Sequence, residues 1–279
     1  IHQALDVHRG LATKIALDGV ARVDGLADLQ HFGVRQILDA AGFIDADQST
    51  IIYAPNISWR NEPFKAKLEA KLNIPVIIEN DANAAAWAEF RYGAGRGYKH
   101  MIMLTIGTGV GGAVIADSHM LRGGFGIAGE LGHIRVVPDG VLCGCGQHGC
   151  LESYASGSAL LKAAKALAAS SDPAGNRLRE IEAEAGQLSG LEVYKAILEG
   201  DAGALGILRD LGSWLGQAIG SLVAVLDPEL VVIGGGVSAA VMARLGRSTR
   251  QAADALERIG TLDDWARLHA RPPSVLGRG

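Results

Sequence analysis

An α/β fold is what this 279-residue sequence predicts, and three observations predict it. Short runs rich in Val, Ile and Leu alternate with alanine- and leucine-rich stretches of helical periodicity. Hydrophobic residues make up 48% and charged residues 20%, the balance of a chain that buries a core rather than a disordered one. Glycine is in excess, at 38 residues with no collagen-like period, so the surplus belongs to turns and to places where backbone meets a ligand. The length suits one large domain or two modest ones.

In chain order, IPVIIEN (Ile74 to Asn80) predicts a buried strand and DANAAAWAEFRYG, from Asp81, an alanine-rich helix. HMIMLTIGTGVGGAVIAD predicts strand, turn and strand around Gly107-Thr108-Gly109. A second hairpin-like stretch follows around Gly123, Gly124 and Gly126, and then a cysteine-rich loop. Ser156 to Leu226 is helical in pattern, broken by SSDPAGN (Ser170 to Asn176). PELVVIGGG (Pro228 to Gly236) predicts a fully buried strand ending in glycines, with another helix after it. Gly93 to Lys99 is the candidate hinge between a smaller domain (1–97) and a larger one (98–279), and ARLHARPPSVLGRG has the character of a loose tail.

With 26 basic and 30 acidic side chains, a net charge of −4 gives no electrostatic footprint for nucleic acid or for an anionic membrane. The uncharged run Met101–Ala116 is glycine-rich and shorter than the roughly 20 residues a membrane span needs. Nothing from Ile1 onward resembles a secretion signal. Cysteine is confined to Cys143, Cys145 and Cys150, which suits a reducing, cytoplasmic setting better than a secreted disulfide framework.

Those cysteines lie in CGCGQHGCLE, the sharpest chemical signal in the chain. A turn can converge three thiols so spaced on a metal, and His133, ten residues upstream, is the candidate fourth ligand of a tetrahedral zinc. Four protein ligands leave no open position, so the zinc is expected to be structural. The plainer alternative is three buried cysteines beside a surface histidine.

Asn80-Asp81 forms a second constellation, a strand-end amide followed by a helix-start carboxylate. It serves equally as a ligand-and-base pair or as an ordinary helix cap. Glu130 lies three residues before His133 and Glu152 two after Cys150, so both are tethered to the metal loop. Acids converging with Asn80 would suit a ligand with many hydroxyls, a sugar. LTIGTGVGG offers backbone N–H groups and threonine hydroxyl (Thr105, Gly107, Thr108, Gly109), and Gly234, Gly235 and Gly236 precede a predicted helix; both can face phosphate. Neither matches the Walker or the dinucleotide-binding pattern.

ENDANAAAWAE, LTIGTGVGGAV, GELGHIRVVPDG, CGCGQHGCLE and LDPELVVIGGG, in that order, resemble the ROK family of bacterial sugar kinases and sugar-responsive repressors. With APNISW (Ala54 to Trp59), the similarity is greatest to the family's ATP-dependent glucokinases, from about Ala41 to Ser238. The resemblance implies an actin-like (ribonuclease H-like) two-domain fold with a structural zinc loop. It implies Asp81 as the base that takes the proton of the sugar 6-hydroxyl, and Asn80, Glu130, His133 and Glu152 as ligands of the sugar. His133 would face zinc with one ring nitrogen and sugar with the other. Gly107–Gly109 would meet phosphate, Gly234–Gly236 adenosine, and magnesium would accompany ATP. The implied partners are glucose and ATP, in a homo-oligomer, dimer or tetramer.

The amino end departs from the family. Where the family carries D-x-G-G-T-K, this chain reads VHRGLATKIAL, with His8 at the Asp position, Gly10 alone, and only Thr13 and Lys14 in agreement. HFGVRQILDAAG stands where the family shows a small-residue strand, and the family's closing turn and helix are missing after Leu268. A catalytically impaired sugar-binding protein, or a kinase for fructose or an amino sugar, is the competing expectation. A repressor is disfavoured, because the residues before Ala41 are too few for an added DNA-binding domain.

Overall fold

The computed structural model describes residues 36–40, 42–54 and 59–237, with backbone alone for 36–40. Outside them lie the VHRGLATKIAL stretch, Pro55–Ser58 of APNISW, the helix expected beyond Val237 and the carboxyl-terminal tail. The described residues fall into two compact units, one formed by residues up to Lys99 together with Ala113–Gly129, the other by His100–Gly112 and residues from Glu130 on.

In the first unit, β1 (Gln36–Ala40) pairs in parallel with β5 (Val76–Asn80), from Gln36 opposite Val76 to Ala40 opposite Asn80. A strand thus forms where the sequence departs from the family pattern. β2 (Phe43–Ile44), β3 (Ile51–Ala54) and β4 (Trp59–Glu62) make an antiparallel sheet. Helix α1 (Phe64–Leu72), which the sequence reading did not single out, ends at Asn73 in the left-handed conformation. Glu69 then accepts the Val76 N–H (3.0 Å), which starts β5 one turn later. Ile44, Ile51, Leu68, Ile74, Val76 and Ile78 form the core, with Trp59 and Phe64 packed against it. Each such side chain contributes roughly 1.5–3 kcal/mol by leaving water. Helix α2 (Asp81–Tyr92) follows β5 without a spacer.

The expected second hairpin is displaced. β7 (Val110–Ala116) turns into β8 (His119–Met120) through Asp117 and Ser118, both at positive φ (49° and 65°). That is the mirror-image turn whose twist matches paired strands. Gly123, Gly124 and Gly126 lie instead in an irregular loop, folded on itself by the Ala128 N–H on the Arg122 carbonyl (3.0 Å).

In the second unit, β6 (Met101–Ile106) is buried along nearly its whole length. β9 (Leu230–Gly234) lies parallel to it with Met101 opposite Leu230 and Thr105 opposite Gly234. β9 is only half-buried, with Ile233 exposed, rather than fully buried as its composition suggested. Its described strand partner is β6 alone. The helices are α3 (Glu152–Ala155), α4 (Gly157–Ala169), α5 (Asn176–Ala185), α6 (Gly190–Glu199) and α7 (Ala202–Leu226). SSDPAGN does separate α4 from α5, through a 3₁₀ turn at Pro173–Gly175. Leu160, Ala164 and Ala168 form a buried stripe on α4, against which α5, α6 and α7 pack. α7 stops at Asp227, in the left-handed conformation, before Pro228. Among the described residues no helix is long and apolar enough to cross a membrane.

Candidate active site and metal centre

The cysteine loop folds by short-range pairing. Cys143 N–H donates to the Gln147 carbonyl (2.8 Å) and Gly146 N–H to the Cys143 carbonyl (2.9 Å), which closes the tip. Leu151 N–H donates to the Ile134 carbonyl (2.9 Å), which carries Cys150 alongside the 3₁₀ turn Leu131–His133. The ligand atoms of His133, Cys143, Cys145 and Cys150 then lie within 4.8 Å of one another. Cys143 Sγ is 3.7 Å from His133 Nδ1, and Cys145 Sγ is 3.6 Å from Cys150 Sγ. A tetrahedron with Zn–S near 2.3 Å and Zn–N near 2.0–2.1 Å has edges of about 3.5–3.8 Å, so these two edges already have zinc dimensions. The sulfur separation is far beyond the ~2.05 Å of a disulfide, and all three cysteines are free thiols. Burial, then the neighbouring Cys145 sulfur, pushes the Cys150 thiol up to about 12. Burial also acts to raise Cys145, but the Gln147 N–H and the adjacent thiols outweigh it and lower that thiol. One acid and one reluctant thiol side by side suit a set that a dication would ionise together. His148, inside the loop, is turned away, its Nδ1 2.9 Å from the Gly140 carbonyl.

Glu152 opens α3. Its Oε1 lies 3.8 Å from Cys143 Sγ and its Oε2 accepts the Val110 N–H (3.0 Å), so one carboxylate links the metal loop to the β6–β7 turn. Glu130 begins the turn that presents His133, its carbonyl accepting the His133 N–H (3.0 Å).

The two glycine signals meet at the carboxyl ends of adjacent parallel strands, the usual place for a ligand in an α/β sheet. Thr105, the last residue but one of β6, lies opposite Gly234, and Gly235 has φ +95° with the Ile106 carbonyl where a Cβ would stand, leaving no room for a side chain. The Gly107 and Thr108 carbonyls accept the N–H groups of Gly157 (2.8 Å) and Ser158 (3.2 Å) at the start of α4. Ser156 caps that helix by accepting the Ala159 N–H (3.0 Å). Thr108 is exposed; Gly107 and Gly109 are half-buried.

In the first unit, Asn80 rather than Asp81 caps α2. Asn80 Oδ1 accepts the N–H groups of Ala82 (2.9 Å) and Asn83 (3.1 Å), and its Nδ2 donates to the Gly42 carbonyl (3.1 Å). Asp81 is the first helical residue, exposed, and its Oδ1 shares the Ala82 N–H (2.9 Å). Beneath the pair sits Glu79, a buried carboxylate the sequence reading passed over. Oε1 accepts from Arg122 Nη1 (3.0 Å), Asn80 N (3.0 Å) and Asn83 Nδ2 (3.2 Å); Oε2 accepts from Arg122 Nη2 (2.6 Å) and Gln48 Nε2 (2.8 Å). A glutamate directly after the apolar run Val76–Ile78 was the available signal; its distant partners Gln48 and Arg122 carry no local pattern.

The ROK family model matches residues 24–258, beyond both limits of the motif resemblance. The glucokinase of Streptomyces coelicolor is 41% identical over 223 residues, which cover 80% of this chain and 70% of that protein. The xylose repressor of Bacillus subtilis is 34% identical over 192 residues, covering 69% of this chain and 45% of that protein. The crystal structure of a ROK family glucokinase from Streptomyces griseus in complex with glucose and AMPPNP aligns with a TM-score of 0.68 at 42% identity, covering 77% of this chain and 70% of that one.

Proposed function

Because the chain belongs to the ROK family and has the actin-like α/β fold of its sugar kinases, we propose that it transfers the γ-phosphoryl group of ATP to the 6-hydroxyl of glucose. The observation that carries the reading is the alignment with a glucokinase bound to glucose and an ATP analogue, at 42% identity, in a chain whose His133 and cysteines fit a zinc tetrahedron.

In this mechanism Asp81 takes the proton of the sugar 6-hydroxyl as that oxygen bonds to the γ-phosphorus and the bond to the β-phosphate oxygen breaks, releasing ADP. Asn80 supports this role by capping α2, which leaves Asp81 exposed at a helix amino end that favours negative charge. Asn80, Glu130, His133 and Glu152 hold the sugar hydroxyls. His133 Nδ1 faces the sulfurs, so Nε2 is the nitrogen for the sugar. Zinc, when bound, cross-links the loop and fixes that tautomer. Thr105 and Gly107–Gly109 meet the phosphates and Gly234–Gly236 the adenosine, with magnesium neutralising phosphate charge when bound with ATP. Thiols kept as ligands and a need for ATP suit the cytoplasm.

The test is sugar-dependent ADP release paired with calorimetry of glucose and of ATP, each alone, on zinc-loaded protein. Asp81→Asn should lose turnover on the order of 10²–10⁴-fold while glucose binding survives. Normal turnover in that variant would remove Asp81 from the role of base. The identity to a xylose repressor favours a second reading, a regulator that binds sugar without transferring phosphate. Glucose binding with no ATP binding would select it. Preference for fructose or an amino sugar would show in relative kcat/KM, since a site that hydrogen-bonds one hydroxyl pattern rejects another by leaving its own groups unpaired.

A further inference from the structure

We propose that Glu79 is a positioning residue for the phosphoryl transfer, fixing the strand-to-helix turn from which Asp81 takes the sugar proton; this rests on the kinase reading above.

Glu79 is the last residue but one of β5 and is 7% exposed. Burying a carboxylate costs several kcal/mol unless it is paired and its lone pairs are filled. Here the pairing is complete: Arg122 grips both oxygens in a two-pronged ion pair, and Gln48, Asn83 and the Asn80 N–H supply three more donors. The donors come from three separate places. Gln48 lies in the β2–β3 turn, which Asp45 closes by accepting the Ser49 and Thr50 N–H groups (2.8 and 3.1 Å). Asn83 lies in the first turn of α2. Arg122 opens the glycine loop that runs to Gly129.

The hub bears on chemistry through its backbone contact. The Asn80 N–H is held by Glu79, the Asn80 side chain spans α2 and the Gly42 carbonyl, and Asp81 is the next residue. The turn at 80–81 is therefore pinned from below and from both sides, which sets the direction of the Asp81 carboxylate. Asn83 gives the cost of the arrangement. With Nδ2 committed to Glu79, its Oδ1 is a buried oxygen without a hydrogen-bond partner among the described residues.

The test uses the full chain, zinc-loaded, in two variants: Glu79→Gln, and Glu79→Gln combined with Arg122→Met. The double variant removes the guanidinium that the single one strands. Turnover depends on the aim of one carboxylate, whereas glucose binding is spread over several residues. Glu79→Gln should thus lower kcat on the order of 10–100-fold with glucose KM within about threefold. Melting temperature should fall in Glu79→Gln and recover in the double variant, while kcat stays low in both. A folded Glu79→Gln with kcat within about threefold of the parent would overturn the role, as would kcat recovering together with melting temperature. If Glu79→Gln fails to fold, the double variant is compared with the parent and decides alone. A parent protein with no sugar-dependent ADP release sinks the kinase reading and this role with it, whereas an active parent beside a fully active Glu79→Gln sinks only the role.

Discussion

The metal loop offers a graded test, because three of its glycines meet different surroundings. Gly144 has an ordinary backbone conformation and open space where a Cβ would stand. Gly146 has φ +90° and open space; Gly149 has φ +78° and the Val137 carbonyl where a Cβ would go. Gly144→Ala should stay within about 0.5 kcal/mol of the parent. Gly146→Ala incurs the left-handed penalty, about 1–2 kcal/mol. Gly149→Ala incurs that penalty and must also push the 136–137 segment away. That breaks the Val136 and Val137 N–H bonds to the Gly149 carbonyl (2.8 and 3.2 Å), each worth about 1 kcal/mol. The total, roughly 3–4 kcal/mol, falls beside Cys150 and corresponds to about 10²–10³ in zinc affinity if the metal-free loop relaxes. Strain that does not relax appears as a lower melting temperature instead. Zinc competition against a chromophoric chelator, with melting curves of the metal-free and loaded forms, captures both. Should Gly149→Ala hold zinc and heat as well as Gly146→Ala, the close approach of Gly149 to the 136–137 segment is wrong.

Zinc affinity should rise with pH between about 6 and 8, because the Cys150 thiol, held near 12 by burial, must surrender its proton to bind. Calorimetry in two buffers of different ionisation enthalpy counts the protons, and identical heats would contradict the ligand set. Burial alone would raise the Asp45 carboxyl, but the Ser49 and Thr50 N–H groups and hydroxyls outweigh it and hold it below its ordinary 3.8. Its stabilisation is therefore present above that value and lost as pH falls through the folded value. The melting temperature of Asp45→Asn should lie below the parent's at pH ~7, and the gap should narrow as pH falls below 3.8. Asn80→Ala removes the α2 cap and should cost about 1–2 kcal/mol in denaturant unfolding, with Asn80→Asp retaining most of it. An Asn80→Ala protein of full stability would contradict the capping geometry.

The metal loop was legible in the sequence because Cys143, Cys145 and Cys150 lie within eight residues, with interleaved glycines able to take the tight turns that bring the thiols together. The same holds for the strand before Asp81 and the helix break at Ser170–Asn176, where the signals are local. The turn at Asp117-Ser118 was hidden because its chemistry requires positive φ at two residues that do not advertise it, while the more obvious glycines nearby form a loop. The sequence left open whether Asp81 caps α2; in the structure the helix already begins at Asp81, so the cap is Asn80.

Local chemistry, then, is written in the order of the residues: which of them can ligate, cap, turn or form a strand is readable from neighbours a few positions apart. Folding in three dimensions is what brings Gln48 and Arg122 to Glu79, Glu152 to the Val110 N–H, and the turns after Ile106 and Gly234 to the same end of one sheet. Hydrogen bonds and strand register join residues tens to more than a hundred positions apart, and no short-range pattern encodes a partner at that distance.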